Sequence, residues 1–377
     1  MGLAPIALGF LLVLAGLVFA AGPAFALEIT PPSSFSLSCR DGRLYPFELA
    51  FSWEIGGYEM AFGWLPLDWG PAPGDDLAFA PTRGHLMVYM KNRFAGMELI
   101  PPFNWEQAYI FLEPVAGQSR YMIARRYEVA AGRWTLGYIE AAVLTGDFSP
   151  WYLNPYPLIP LMVTQLTLQY LGAPGGENRF CNAIMHVDAR YSGERASAYV
   201  AFFADDMPPT SSWANHYKIG LQLGGGLKEP FGLKDTELQV DYVGITRHTY
   251  TFYAENPEGD WVDGDLFLGH PLGPDADQLT VSFVWEKKGR WLAFRRERHG
   301  EGRRYRDPQE PVTAQTLEFL TGVVETSYLV GGGGSFCLGE HLTLDLGLYA
   351  GYVSNLKNIP GRRGTRLELE AKLTYAF

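Results

Sequence analysis

The sequence predicts an all-β protein: a single transmembrane antiparallel up-and-down β-barrel with long extracellular loops and short periplasmic turns. Three observations lead to this prediction. Apolar and polar residues alternate in many segments, the connections between those segments alternate in length, and the composition departs from that of soluble domains. Aromatic residues make up 14% of the chain and charged residues only 19%, whereas soluble domains average about 25% charged residues. At about 20 residues for each strand and its connection, the chain holds roughly 16 to 18 strands.

The C-terminal segment 367–377 shows the alternation clearly. Successive side chains of a strand point to opposite faces, so one face carries Leu367, Leu369, Ala371, Leu373, Tyr375 and Phe377. The other face carries Glu368, Glu370, Lys372, Thr374 and Ala376. A soluble edge strand that ends in Phe also fits this pattern. The ending resembles the C-terminal strand of bacterial outer-membrane barrels, which implies recognition by the barrel assembly machinery and an apolar face turned to lipid.

The same alternation recurs along the chain. Apolar residues hold every second position in the segments 181–191, 196–202, 217–223, 238–242, 279–285 and 342–350. Each segment spans roughly ten residues, the length that a tilted strand needs to cross a bilayer. The glycine run Gly331–Gly334 lies inside a strand pattern. It predicts that a loop, a helix or a neighbouring side chain approaches the barrel wall closely there.

Connection lengths support the barrel independently. Counted back from the C-terminus, long connections such as 300–321 and 254–276 alternate with short ones such as 287–289. Outer-membrane barrels have long outer loops and short periplasmic turns, so a periplasmic C-terminus places the long loops outside the cell. Two segments stay ambiguous: 94–104 is a turn or a strand, and 161–171 is a strand or a short helix. The count is about 16 strands without them and about 18 with them.

The amino end is typical of an export signal. An apolar core runs from Leu8 to Phe19, and Ala24-Phe25-Ala26 is a small-x-small cleavage site. We expect residues 1–26 to be a signal peptide and residues 27–377 to form the outer-membrane β-barrel of a diderm bacterium. An uncleaved anchor is the alternative, because the apolar run is long; the positively charged region of the signal is weak, since no Lys or Arg precedes Arg40.

Charge and cysteine content limit the partners. The net charge of −11 argues against nucleic acid, because phosphate contacts need Lys and Arg. The three cysteines, Cys39, Cys181 and Cys337, do not have metal-ligand spacing and allow one internal disulfide at most. The acidic loop with Asp260, Asp263 and Asp265 contains possible calcium ligands, but its spacing does not match an EF-hand and a solvated loop is the simpler interpretation. The sequence therefore predicts no cofactor and no metal. It contains no nucleophile elbow or metalloprotease motif, so we expect no catalytic residues and no enzyme activity.

Three passages between residues 150 and 290 resemble the Wzi-type capsule assembly family. They are Asn154-Pro155-Tyr156-Pro157, the hairpin from Asn182 to Asp206, and Gly269-His270-Pro271-Leu272-Gly273-Pro274-Asp275-Ala276-Asp277. The resemblance implies a monomeric outer-membrane barrel that acts as a surface lectin for capsular or other exported polysaccharide. The helical periplasmic segment at the start of typical members has no counterpart in this sequence.

Candidate ligand-binding residues follow from the chemistry of sugars. Sugars stack on aromatic rings and form hydrogen bonds with planar groups such as carboxylates, amides and guanidinium groups. Arginines near the outer rim add attraction for an acidic polysaccharide. The candidates are Trp151, Tyr152, Asp205, Asp206, Trp213, His270, Asp275, Asp277, Arg295 and Arg298. Two alternatives stay open: the aromatic residues belong to the girdles found in any barrel, and the arginines form ion pairs inside the barrel or contact anionic lipid.

The main hypothesis is thus an outer-membrane surface lectin that binds or anchors capsular or exported polysaccharide. The alternative is a porin or substrate-specific outer-membrane channel, because barrel architecture does not determine function. An outer-membrane hydrolase is a third hypothesis, since rim carboxylates such as Asp205 and Asp275 form pairs whose separation the sequence does not reveal. The expected partners are outer-membrane lipid, surface polysaccharide and the barrel assembly machinery.

Overall fold

The structure is a computed structural model. It describes residues 28–30, 34–40, 43–55, 57–80, 84–96, 101–146, 152, 159–171, 179–206, 217–251, 257–264, 266–302 and 317–376. The predicted signal peptide and the C-terminal Phe377 lie outside the described residues.

The described residues form β-strands almost throughout. The strands are β1 (Glu28–Thr30), β2 (Ser34–Arg40), β3 (Arg43–Ile55), β4 (Tyr58–Leu65), β5 (His85–Phe94), β6 (Phe103–Val115), β7 (Gln118–Ala131), β8 (Trp134–Thr145), β9 (Arg179–Ser192), β10 (Ala196–Asp206), β11 (Lys218–Lys228), β12 (Thr236–Ile245), β13 (Val262–Asp263), β14 (Leu266–Phe267), β15 (Ala276–Trp285), β16 (Arg290–His299), β17 (Glu325–Cys337), β18 (Leu342–Ser354) and β19 (Arg363–Ala376). One α-helix, α1 (Leu161–Leu171), lies in the connection between β8 and β9. Short 3₁₀ turns occupy Pro230–Gly232, Pro257–Gly259, Glu286–Lys288 and Leu356–Asn358.

Seventeen of the strands form one antiparallel sheet, and its pairings close it into a barrel. Neighbours in sequence pair with each other, β9 pairs with β10, and β19 pairs with β2 through partners such as Ala371 and Cys39. Strand β1 pairs with β3 just beyond the segment of β3 that pairs with β2. It therefore occupies the same place in the ring as β2, and the ring consists of sixteen strands. The ambiguous segment 161–171 is a helix rather than a strand, so the lower of the two sequence counts applies.

The exposed face of β19 carries the predicted apolar residues. Leu367, Leu369, Leu373 and Tyr375 are 73%, 62%, 39% and 43% exposed, whereas the polar residues between them are half-buried inside the barrel. Large apolar side chains are also exposed on other strands, for example Val187, Leu223, Phe294 and Val330. An exposed apolar band around a closed barrel matches the hydrocarbon layer of a membrane. The protein is therefore a transmembrane β-barrel.

The alternation of connection lengths is present in the structure. Short turns such as Gly132-Arg133 and Glu286–Lys288 lie at one end of the barrel, together with the end of β19. The strand ends that flank the long connections β4–β5, β8–β9, β12–β15 and β16–β17 lie at the opposite, outer end. Gly132 has φ +63°, a backbone conformation that glycine adopts without strain and that tight hairpin turns require. No helix in the described part of the chain is long and apolar enough to cross a membrane.

One part of the outward face departs from the lipid-exposed pattern. On β3–β8, outward residues such as Met60, Trp105 and Ile123 are buried, in a cluster that includes Tyr152 and Leu161 of the β8–β9 connection. Three polar outward residues lie in the same region, Gln107, Arg125 and Glu140, which are register partners on adjacent strands.

Backbone groups of the β8–β9 connection cover these three polar residues. Gln107 donates to the Tyr152 carbonyl at 3.0 Å, Arg125 donates to the Ile159 carbonyl, and the Leu161 amide donates to Glu140 at 3.3 Å. The described parts of the connection, Tyr152 and residues 159–171, therefore lie on the outside of the barrel, where they form a strap that shields a buried Arg–Glu pair from lipid.

Candidate functional site in the lumen

Two outer connections fold into the barrel. We call residues 66–84 the first inward loop and residues 246–275 the second inward loop. Within their described parts, the Tyr250 hydroxyl donates to the Leu77 carbonyl at 2.6 Å, and the Trp261 indole N–H donates to the Ala78 carbonyl at 3.2 Å. The Ala80 amide donates to the Leu268 carbonyl at 3.1 Å. The two loops thus hold each other in place by buried hydrogen bonds.

Apolar packing fixes both loops against one side of the wall. One group of inward residues on β5–β10 and β12 is apolar, and the loop residues Leu77 and Phe79 pack among them, each at most 1% exposed. The wall residues of this cluster include Met87, Ile110, Met122, Ile139, Ile184, Phe203 and Val243. Burial of a Leu or Phe side chain contributes roughly 1.5–3 kcal/mol. This side of the lumen is therefore filled by protein.

Polar contacts anchor the first inward loop to the wall. The Trp69 indole N–H donates to Glu106 at 2.6 Å. The Gln222 amide donates to the Asp75 carbonyl at 3.0 Å. Because the partners lie on the strands β6 and β11, the loop is tied to two separated parts of the wall.

Asp76 is the deepest charged group of the first inward loop. It is 2% exposed, its Oδ1 lies 3.2 Å from Nε2 of His186 on β9, and the same oxygen accepts the Ala78 amide at 3.1 Å. His186 Nδ1 is in turn 3.5 Å from Asp188, and Asp188 pairs with Arg126 at 2.9 Å. A chain of polar side chains thus connects the loop to β7 and β9.

The opposite wall is charged and accessible from inside the barrel. In the ring of sixteen strands, β19 lies eight positions from β9. Arg295 of β16 contacts Glu297 at 3.5 Å and Glu368 of β19 at 3.1 Å. Arg366 donates to Glu297 at 2.5 Å and pairs with Glu368, while 38% of its side chain stays exposed. Arg295, one of the predicted ligand-binding residues, therefore belongs to the internal ion-pair network that the sequence left as an alternative.

The glycine run allows two large rings to lie flat on this wall. A Cβ on Gly331 would meet the Tyr349 ring at 2.2 Å, and one on Gly333 would meet the Trp291 ring at 2.8 Å. The predicted close approach at Gly331–Gly334 is confirmed, and neighbouring side chains make it. Because the rings lie along the wall, their bulk does not extend across the lumen.

Carboxylates dominate the surroundings of the first inward loop. Six acidic side chains lie on it or face it, against the two guanidinium groups of Arg126 and Arg190; the acids are Asp68, Asp75, Asp76, Glu106, Asp188 and Asp241. Partial desolvation and the charge of Asp76 raise the pKa of Asp68, and the two arginines oppose this shift. A surplus of carboxylates in a confined space attracts cations and repels anions.

Three predicted ligand-binding residues serve to hold the outer loops. Asp205 accepts the Tyr250 amide at 2.7 Å, and His270 Nδ1 accepts the Leu272 amide at 3.2 Å. Asp275 accepts the Gly302 amide at 2.8 Å and the Thr321 hydroxyl at 2.6 Å. All three are at most 5% exposed, so their side chains stabilise loop conformations.

The other predicted residues lie in separate environments. Asp277 and Arg298 pair on the outward face of the barrel, near its outer end, and Tyr152 is fully buried beneath the external strap. Trp151, Trp213 and the side chain of Asp206 lie outside the described residues. The structure therefore does not bring the ten residues together, and their role in ligand binding stays a prediction.

Sequence reasoning missed the inward loops and the residues that face them. A signal existed in the apolar run Leu77–Ala80 inside a connection otherwise rich in Pro, Gly and Asp, because an exposed loop has no reason to be apolar. Among the described residues, no group of three or more His, Cys, Asp or Glu side chains is arranged to hold a metal ion. Cys337 is exposed and forms no disulfide.

Comparison with known proteins gives structural neighbours only. No protein-family model matches the chain, and no curated protein is similar enough to count as a relative. Similar solved structures include OccK3 (OpdO) of Pseudomonas aeruginosa, at 10% identity and a TM-score of 0.44, over 93% of this chain and 94% of that one. OprD of the same organism has 10% identity and a TM-score of 0.44, over 94% and 95% of the chains. OccAB3 of Acinetobacter baumannii has 10% identity and a TM-score of 0.45, over 89% and 78%.

These neighbours correct the family assignment. They are outer-membrane proteins of the Occ and OprD type and not of the Wzi type, so the resemblance to the Wzi-type family was wrong, and so was the polysaccharide-lectin hypothesis that rested on it. The physical reason lies in the motifs: Asp205, His270 and Asp275 accept hydrogen bonds from the protein's own loops and thereby hold those loops in place. Identities and TM-scores this low transfer no function to this chain.

Proposed function

We propose that the protein is an outer-membrane channel for small solutes that favours cations. The observation that carries the proposal is the asymmetric filling of the lumen. Two inward loops occupy the side of β5–β10, while the opposite wall keeps charged, partly exposed side chains such as Arg366 and Glu368. Charged groups exposed on the inside of a closed barrel need water, and a water-filled passage beside a fixed constriction is the architecture of a selective pore.

Cation preference follows from the charge beside the first inward loop. Asp68 and Asp75 lie on the loop, and Asp76 faces His186. The arginines of the opposite wall, Arg295 and Arg366, are balanced by Glu297 and Glu368. The first inward loop therefore contributes net negative charge to the passage, whereas the opposite wall contributes almost no net charge. Carboxylates that line a pore select cations.

The proposed channel passes solutes without transforming them. The rim carboxylates that a hydrolase would need, Asp205 and Asp275, are buried and accept backbone amides. Export by a signal peptide at residues 1–26 and insertion by the barrel assembly machinery belong to the same proposal. The outward apolar residues of β19, the last strand of the ring, support that part.

Planar-bilayer recording of the full-length protein tests the proposal. We expect stepwise single-channel currents and, under a KCl gradient, a reversal potential of the sign that K⁺ preference produces. Asp68→Asn together with Asp75→Asn should reduce that preference. Asp235→Asn is the matched control, because Asp235 lies in a periplasmic turn and pairs there with Lys287. A folded barrel that passes no current, or one that prefers anions, would refute the proposal.

A further inference from the structure

Strand β16 carries two arginines on its outward face. Its outward positions are 290, 292, 294, 296 and 298, and the middle ones, Leu292 and Phe294, are 54% and 40% exposed in the apolar band. The next two outward residues toward the outer end are Arg296 and Arg298, whose side chains are 30% and 34% exposed. The arginines therefore begin where the apolar band stops.

The neighbouring strands show the same boundary. Register partners across β12 and β15–β19 give an apolar row of outward residues: Val240, Val281, Phe294, Val330, Ala350 and Leu367. The next row toward the outside is Tyr242, Leu279, Arg296, Tyr328, Tyr352 and Thr365. Tyrosines at this position mark the membrane–water interface, so Arg296 lies at the level of lipid head groups in the outer leaflet.

A single buried carboxylate holds both arginines. Arg298 Nε lies 2.9 Å from Asp277 Oδ1, and a second nitrogen of Arg298 pairs with Oδ2. Arg296 approaches the same Oδ2 at 3.7 Å, and the Tyr242 hydroxyl lies 3.3 Å from it. Asp277 itself is fully buried. Two guanidinium groups against one carboxylate leave a net positive charge on the lipid-facing surface.

The contact with Asp277 does not satisfy all the hydrogen-bond donors of Arg296. Its Nε is buried and has no hydrogen-bond partner among the described residues, and its contact with Asp277 is longer than a hydrogen bond. A guanidinium held at an interface with unused donors is suited to phosphate, which it binds with charge-assisted, often bidentate hydrogen bonds.

We propose that Arg296 and Arg298 form a binding site for the phosphate group of an outer-leaflet lipid head group. The acyl chains of that lipid lie along Phe294 and Val330, which are 40% and 65% exposed. Its phosphate meets Arg296 and the outer edge of Arg298. The site differs from the lumen in position and ligand, and it does not depend on channel function.

Native mass spectrometry of the full-length barrel tests the site, with diphosphoryl lipid A and its dephosphorylated form as probes. We expect the parent to retain the phosphorylated lipid at least about tenfold better, the discrimination that charge-assisted hydrogen bonds give. Arg296→Gln should remove most of this difference while it leaves the Arg298–Asp277 pair intact. Arg290→Gln is the matched control: it is outward on the same strand, exposed, and at the periplasmic end.

A second variant removes both arginines without leaving an unpaired buried charge that would oppose folding. Removal of both arginines would leave Asp277 buried without a cation, so Asp277→Asn accompanies Arg296→Gln and Arg298→Gln. Heat-dependent gel mobility reports whether each variant folds. Equal retention of phosphorylated and dephosphorylated lipid by the parent, or unchanged retention in Arg296→Gln, would overturn the proposal. Inorganic phosphate that binds as tightly as the lipid would also overturn it, because the apolar strip would then contribute nothing.

Discussion

The guanidinium of Arg295 lies over the ring of Tyr349, with its Cζ 3.9 Å from the ring centroid. The Trp291 ring continues the same layer, at 5.2 Å from the Tyr349 centroid. Glycines of β17 beneath the rings make room for this layer. The stack combines a cation–π contact with ion pairs to glutamates, and it keeps three large side chains close to the wall of the lumen.

Gly331→Ala should narrow the channel. Its added Cβ would lie 2.2 Å from the Tyr349 ring, so we expect the ring to turn toward the lumen and single-channel conductance to fall. Gly332→Ala is the control, because it points outward and its Cβ meets the tip of Leu292 at 3.0 Å and the Trp291 carbonyl oxygen at 3.3 Å, but no ring of the lumen wall. Equal conductance of the two variants would show that the ring does not border the conducting path.

Tyr250→Phe should loosen the two inward loops. The Tyr250 hydroxyl donates to the Leu77 carbonyl and accepts the His270 amide, and loss of a buried partner costs about 1–3 kcal/mol. We expect noisier single-channel currents and faster proteolysis of the loops in the folded barrel. Tyr170→Phe, on the 91% exposed Tyr170, should change neither. Parent-like noise in Tyr250→Phe would mean that apolar packing alone fixes the loops.

Cation preference should weaken as pH falls, and it should weaken at a higher pH than the titration of an ordinary aspartate predicts. Desolvation and Asp76 raise the pKa of Asp68 above its usual 3.8. Since a raised pKa favours the neutral form, the Asp68 charge is present above the raised value and is lost as pH falls through it. Reversal potentials measured between neutral and acidic pH should show this step. Asp68→Asn should remove it; a step that persists there would assign the titration to another group.

Leu369→Arg should block assembly of the barrel. Leu369 is 62% exposed on the outward face, and an arginine facing lipid near the bilayer midplane costs about 2–4 kcal/mol. The adjacent Glu370→Arg faces the lumen and should still assemble. Membrane fractionation and heat-dependent gel mobility separate the two cases. Normal insertion of Leu369→Arg would contradict the outward assignment of this strand.

Arg125→Met should destabilise the barrel more than the double change Arg125→Met with Glu140→Leu. Arg125 is fully buried under the strap and lies 3.8 Å from Glu140. Loss of one partner leaves a buried charge, at a cost of about 3–5 kcal/mol, whereas loss of both leaves none. The temperature at which the folded gel band disappears measures both effects. A double variant less stable than the single one would show that the pair stabilises the strap directly.

Most strands, and the direction in which their side chains point, can be predicted from the sequence. Alternation with a period of two is local, so the outward Leu367 and Leu369 and the inward Glu368 are readable without any partner strand. The same holds for the long outer connections and for the tight approach at Gly331.

The sequence does not reveal which connections enter the lumen and which lie outside the barrel wall. Whether Leu77 packs inside the lumen, whether Tyr152 lies outside the wall, and whether Asp275 meets a ligand or Thr321 depend on contacts between residues far apart in the chain. Arg295 and Arg298 lie on opposite faces of β16, and only the closed barrel makes one of those faces the lumen and the other the lipid-facing surface. Residue type does not distinguish them, because closure of the barrel creates the two environments.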